Sequence, residues 1–289
     1  MKHPLTFAPV LIAALAGLAA CQEQPEGEPV VRTTLGEPDD VTLADADTPV
    51  PQPSAEPEEA ALPGPSACAP ASFEGVALTH CVADPAKHRI KVTYGPGDGS
   101  TPYGSLDAYA ATAEAETIAF AMNGGAFSDD LKPRGYLVAS GARLGELSRG
   151  SGDGNFFMKP NGVFYGTGGT WRVRSTDRFY STVLDRPQFG TQSGPMLLVG
   201  GELGGAISEE GTSLAIRNAV GVGPDGKAHF VISGDPLTYS QLARFFRDEL
   251  KVKDALFLDS KSSSLWDTAT GRMDQGRTGP IIVVTKRGS

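Results

Sequence analysis

The chain has 289 residues, 40% of them apolar, and a formal net charge of −9, enough material for one or two packed domains. The charge is uneven: residues 22–66 hold eleven acids and one base, Arg32, while residues 68–289 are neutral. A neutral folded part removes the electrostatic basis for nucleic-acid binding. A multi-pass membrane protein is excluded as well, because no apolar run of about 18 residues follows the N-terminus.

Residues 1–20 read as an export signal. Met1-Lys2-His3 is a short basic stretch, and Leu5 to Ala20 is apolar and small. The segment ends in Leu18-Ala19-Ala20-Cys21, which resembles the lipobox of bacterial lipoproteins. The expectation is cleavage before Cys21, lipidation of that cysteine and a stable membrane anchor. Gln22 stands where an aspartate often retains such proteins at the inner membrane, so the outer membrane, facing the periplasm, is the expected address. The other reading of the same residues is an ordinary secretory signal beside a chance cysteine.

The lipidated Cys21 opens a tether over residues 21–67. Residues 22–66 carry nine prolines and no aromatics. Such a segment cannot bury enough surface to offset chain entropy, and it is expected to be a disordered, extended spacer. Cys68 and Cys81 are the remaining cysteines. Export favours a disulfide between them, contributing roughly 3 kcal/mol. Neither His80 nor His88 makes a zinc spacing with them, and no metal or cofactor is expected.

From residue 68 the pattern alternates short strands with few helices. Phe73–Leu78 and Ile90–Tyr94 alternate like strands. Leu106–Glu116, after Ser105, reads as a helix. Thr117–Met122 is an apolar run that fits a buried strand. Phe156–Lys159 and Val163–Tyr165 flank Pro160-Asn161-Gly162 as a hairpin, and Ala219–Val222 and His229–Ile232 flank Pro224-Asp225-Gly226 as another. Thr238-Tyr239-Ser240-Gln241 has the capping-box pattern, followed by an apolar stripe of Leu242, Phe245, Phe246 and Leu250. Ala255–Leu258, ending at Asp259, and Ile281–Thr285 are the last strands. The expected class is α+β, a mixed and largely antiparallel sheet with a few packed helices, as one domain over residues 68–289.

Standard catalytic motifs are absent. There is no nucleophile elbow, no paired-histidine zinc motif and no phosphate-binding loop of the nucleotide hydrolases. Four polar motifs stand at the ends of apolar strands instead. Asn123-Gly124-Gly125 joins an amide to glycines that permit close backbone approach and positive φ. Ser193-Gly194 belongs to Gln192-Ser193-Gly194-Pro195-Met196. Arg217-Asn218 opens a strand with a rigid fork suited to a phosphate. Asp259 precedes Ser260-Lys261-Ser262-Ser263-Ser264. Each has a plainer reading: a turn at Asn123, a surface ion pair at Arg217, a locally capped turn at Asp259.

In order, these motifs resemble the phosphodiester glycosidase domain family, with Gly154 to Phe164 (Gly-Asn-Phe-Phe-Met-Lys-Pro-Asn-Gly-Val-Phe), Arg217 to Val222, Ala243 to Asp248 and Ala255 to Asp259 completing the set. The resemblance spans roughly residues 68–286. It implies that family's fold and the hydrolysis of a sugar-1-phosphodiester. The mapped catalytic residues are Asp259, Arg217 and Asn123. Gly124, Gly125, Ser193, Gly194, Asn218, Ser264 and Lys261 are mapped as substrate contacts. The chemistry fits those residue types: a cation for phosphate, amides for sugar hydroxyls, and a carboxylate for the anomeric centre. Family members commonly follow the aspartate with glycine, whereas this chain has Ser260 and Lys261, and it has Gly234 where relatives carry an acid. Lys261 then offers a second phosphate contact. The expected partner is a glycan or sugar phosphodiester in the envelope or outside the cell. A non-catalytic lipoprotein that binds glycans or phosphosugars in the same cleft is the alternative class.

Overall fold

The computed structural model describes residues 65–288, except 98, 100, 140 and 260. The export signal and nearly all of the tether lie outside the described residues. Along the chain the first strands are β1 (Cys68–Phe73), β2 (Val76–Ala83), β3 (His88–Thr93), β4 (Gly104–Ser105) and β5 (Ile118–Asn123). β6 (Leu137–Ala139), β7 (Ala142–Gly145), β8 (Gly162–Thr167), β9 (Thr170–Ser175) and β10 (Phe189–Ser193) follow. Then come β11 (Met196–Val199), β12 (Glu202–Leu203), β13 (Asn218–Val222), β14 (Ala228–Ser233) and β15 (Ala255–Asp259). The last are β16 (Leu265–Asp267), β17 (Arg272–Met273), β18 (Arg277–Thr278) and β19 (Ile281–Lys286). Among the described residues three short α-helices interrupt them: α1 (Leu106–Ala110), α2 (Thr176–Thr182) and α3 (Tyr239–Arg244).

Three sheets share one core. Their orders are β1-β2-β14-β13-β15-β11-β12, β7-β6-β10-β8-β9 and β17-β16-β5-β19-β3. The strand ladders described are antiparallel, the class expected from the alternating sequence. Phe230 of the first sheet meets Phe164 of the second at 5.7 Å and Phe120 of the third at 5.3 Å. Those rings sit in a buried cluster with Met122, Val220, Leu256 and Ile282. The outer face of each sheet is backed by a helix. α3 packs over Leu198, Ala219, Val231 and Phe257. α1 packs over Ala121 and Val283. Phe179 of α2 packs over Val138 and Val163. Because the apolar residues of a strand alternate between these two interfaces, β5 is buried at every position and reads as a continuous apolar run.

Several boundaries differ from the sequence reading. The strand expected at Phe73–Leu78 is broken in two: Phe73 ends β1, Val76–Leu78 open β2, and Glu74 at φ 48° and Gly75 at φ 79° make the hairpin turn between them. Two positive φ values suit the tight two-residue turn, but glutamate is not its usual occupant. The helix expected over Leu106–Glu116 stops at Ala110. Ser105 Oγ caps it by accepting from Ala108 N–H, and Thr112 Oγ1 then donates to Tyr109 O at 2.9 Å, competing with a further turn. The expected hairpin around Pro160 is also absent. Asn155–Phe157 is a single helical turn, Asn161 Nδ2 donates to Phe156 O at 2.9 Å, and β8 pairs with β9 across Gly168-Gly169. The Pro224-Asp225-Gly226 hairpin and the Thr238 capping box form as expected.

Cys68 and Cys81 face each other across β1 and β2 and are bonded, with S–S at 2.00 Å. One strand further in, His80 of β2 and His229 of β14 stack at 5.2 Å between ring centroids, with His80 Nε2 and His229 Nδ1 3.0 Å apart. That bond needs one ring to accept, so a neutral ring is favoured. Burial, and next the charge of His229, lower His80 from 6.5 to about 4; burial also lowers His229, against the pull of Asp225. The folded state therefore binds fewer protons than the unfolded chain. The pair's contribution is full above pH 6.5 and is lost as pH falls toward about 4. Melting temperature measured across this window should decline, and His80→Gln should flatten the decline. A wild-type profile that is level from pH 7 to 4 would contradict the arrangement.

Candidate active site

Four strand ends bring the polar motifs together. β5 ends on Asn123, β10 on Ser193 and β15 on Asp259, while β13 begins at Asn218. Asn123 is paired with Ile281 of β19, and the next residue, Gly124, donates to Pro280 O at 2.7 Å. Asn218 lies opposite Asp259 in the ladder, and the register shifts at the next step, between Asn218 and Ala219. Such bulges bend a strand and re-aim its last side chains.

Two buried amides join the first and third sheets. Asn123 Oδ1 accepts from Asn218 Nδ2 at 2.7 Å and from Ser264 N–H at 2.9 Å. Asn218 Oδ1 accepts from Asp259 N–H at 3.0 Å and from Ser263 Oγ at 3.3 Å. The backbone donors define which end of each amide is oxygen. Asp259 is half-buried, its Oδ1 accepts from Lys261 N–H at 2.9 Å and its carbonyl accepts from Ser263 Oγ at 2.8 Å. Ser193 Oγ donates to Leu258 O at 2.8 Å. Asn123, Asn218 and Ser193 thus hold the backbone that carries the carboxylate.

Arg217 differs most from the free fork expected of it. It is 1% exposed. Its Nε donates to Leu237 O at 3.0 Å, and one terminal nitrogen donates to Ser213 O at 2.9 Å and Ser213 Oγ at 3.2 Å. The guanidinium lies over the Tyr239 ring at 3.6 Å, with Phe257 at 5.6 Å. Burial lowers its pKa from the ordinary arginine value, although an arginine stays charged. Burial pushes the Tyr239 phenol up, Arg217 pulls it down and Asp259 adds to the rise. The site is therefore backed by a positive charge set within the fold.

The glycines serve packing. Gly124 and Gly125 are buried and are not among the positive-φ residues. A Cβ on Gly125 would lie 2.1 Å from Gln192 O, and one on Gly194 would lie 2.7 Å from Asn161 Cβ. They support the site from beneath by close approach, not by the left-handed backbone the sequence allowed. Ser264 is fully buried and Lys261 is exposed.

Sequence reasoning missed Tyr239, Ser263 and the side chain of Gln192. Gln192 Oε1 accepts from Tyr136 N–H and Ser148 N–H at 2.9 and 3.0 Å, and its Nε2 donates to Ser148 O at 2.7 Å. It stood inside a motif already singled out, which was the available signal. Tyr239 Oη and Ser264 Oγ are buried and have no hydrogen-bond partner among the described residues. Orphan hydroxyls of this kind call for a ligand or water. Chemically, the site offers a fixed carboxylate, two spare hydroxyls and a buried cation.

Comparison with known proteins places this geometry among others. A family model described as phosphodiester glycosidase matches residues 116–281, a span that contains every mapped catalytic residue. The uncharacterized protein YigE of Escherichia coli (strain K12) is 32% identical over 184 residues, which are 63% of this chain and 71% of that protein. The catalytic domain of zebrafish N-acetylglucosamine-1-phosphodiester alpha-N-acetylglucosaminidase, auto-inhibited by pro-peptide, aligns with a TM-score of 0.52 and 17% identity. That alignment covers 76% of this chain and 82% of the zebrafish chain. At such identity the likeness is one of fold.

Proposed function

We propose, because this chain belongs to the phosphodiester glycosidase family, that it hydrolyses a sugar-1-phosphodiester bond in an envelope or extracellular glycan. The observation that carries the proposal is the fixing of Asp259 at the end of β15 by the Asn123–Asn218 bridge. A carboxylate held there stabilises positive charge at an anomeric carbon, either through space or by bonding to it. The phosphate departs with its own negative charge, so a single well-placed carboxylate suffices where an ordinary glycoside needs two. Lys261 and the buried Arg217 provide the positive potential for that phosphate.

The N-terminal residues set the address in this reading. Cys21 carries the lipid, residues 22–66 space the domain from the membrane, and the outer membrane facing the periplasm is the site of action. Turnover tests the proposal directly. The purified protein is expected to release free sugar and UDP from UDP-N-acetylglucosamine, and free sugar and a phosphomonoester from simpler sugar-1-phosphodiesters. A chain that binds such compounds and releases no sugar would instead be a glycan-binding lipoprotein.

A further inference from the structure

The Gly154 to Phe164 motif has no part in the site just described. Its Lys159-Pro160-Asn161 turn lines an open cavity of about 370 Å³, together with Arg149 and Thr176. Two contacts tie that cavity to the candidate site. Asn161 packs against Gly194, and Thr176 Oγ1 accepts from Gln192 Nε2 at 3.0 Å. Between Gln192 and Gly194 stands Ser193, bonded to the carbonyl that precedes Asp259.

Arg149 also lines a second cavity, of about 400 Å³, with Tyr180, Arg143 and Arg186. Its guanidinium lies 4.4 Å from the centroid of Tyr180, a ring that is 61% exposed. Glu146 and Asp177 sit at 3.1 Å from Arg143 and Arg149. Among the described residues Lys159 donates to an amide oxygen, Asn161 Oδ1, at 3.3 Å. An exposed aromatic face beside guanidinium forks suits a sugar ring carrying an anionic group: the ring packs on the aromatic, and the fork takes a phosphate or carboxylate through two hydrogen bonds.

We infer that the two cavities, meeting at Arg149, form one groove that binds further units of an anionic glycan chain. Tyr180 stacks on a sugar ring, and Arg149, Lys159 and Arg186 hold its phosphate or carboxylate substituents. The inference rests on the proposed glycan substrate only for the identity of the chain, and it makes that substrate a polymer.

Affinity electrophoresis of the whole chain tests it, with phosphorylated dextran in one gel and neutral dextran of equal length in another. Phosphorylated dextran should retard the wild-type protein and neutral dextran should not. Tyr180→Ala and Arg149→Ala should each weaken retention by about tenfold, and Tyr180→Phe should restore it, since the stacking face remains. Both residues are exposed, and unchanged melting temperatures would confirm intact folds. Equal retention by the two dextrans, or full retention by both alanine variants, overturns the inference. Retention is a binding measurement: a chain that binds phosphorylated dextran yet turns over no sugar-1-phosphodiester sinks the hydrolase proposal and leaves the groove standing. The opposite pair of results sinks the groove alone.

Discussion

Replacing Asp259 by asparagine is expected to lower turnover of a sugar-1-phosphodiester by about a thousandfold or more, because a neutral amide cannot stabilise positive charge at the anomeric carbon. The fold should survive the change. The main-chain bonds that anchor this residue, from its N–H to Asn218 Oδ1 and from Ser263 Oγ to its carbonyl, do not involve its side chain. The side-chain bond accepted from Lys261 N–H can be accepted equally well by an amide oxygen. Activity and melting temperature should therefore separate. Near-wild-type turnover by the Asp259→Asn protein would show that the carboxylate of the reaction lies elsewhere. Loss of both activity and thermal stability would mean that the charge holds the fold.

The opposite separation is expected at Arg217. Alanine there should lower the unfolding free energy by about 3–5 kcal/mol in urea titration. The change empties the space beside Tyr239 and Phe257 and removes the donors to Leu237 O and Ser213 O. Leu237 O still accepts from Ala215 N–H at 3.3 Å and Ser213 is exposed, so the loss is chiefly one of packing. The loss is tempered because a desolvated cation leaves with the side chain. Arg217→Lys should recover little, since an ammonium can neither stack flat on the tyrosine nor reach both carbonyls as a fork. A stability change under about 1 kcal/mol, with turnover abolished, would return Arg217 to the role of a phosphate contact.

The elements that were legible are those whose local chemistry agrees with their packing. The Thr238 box forms because its side chain and that of Gln241 cap one another. The apolar run before Asn123 is a strand because both its faces are covered. The misread elements are those decided at a distance. Glu74 occupies a tight turn because Cys68 and Cys81 on either side are paired and bonded. Asn161 looked like a turn residue, yet its amide is committed to Phe156 O. At the site, the motifs showed which residues matter but not what they do. An amide can face a ligand or another amide, and only the meeting of Asn123 with Asn218 shows the second. Tyr239 went unnoticed because its visible role was in a helix start, whereas its ring covers the arginine that precedes β13.

The Asn123–Asn218 bridge also bears on how the chain becomes active. Its partners are 95 residues apart, and the bond from Ser264 to Asn123 spans 141. Neither contact can form until the chain between has closed a long loop, a slow kind of step in strand-rich proteins. The constellation around Asp259 is therefore expected late in folding, when the first and third sheets dock. A chain that has formed its hairpins but has not yet joined these sheets would carry every residue of the proposed site and still be inert. Catalytic competence then reports on the docking of two sheets, and it should be the last property gained on refolding and the first lost on unfolding.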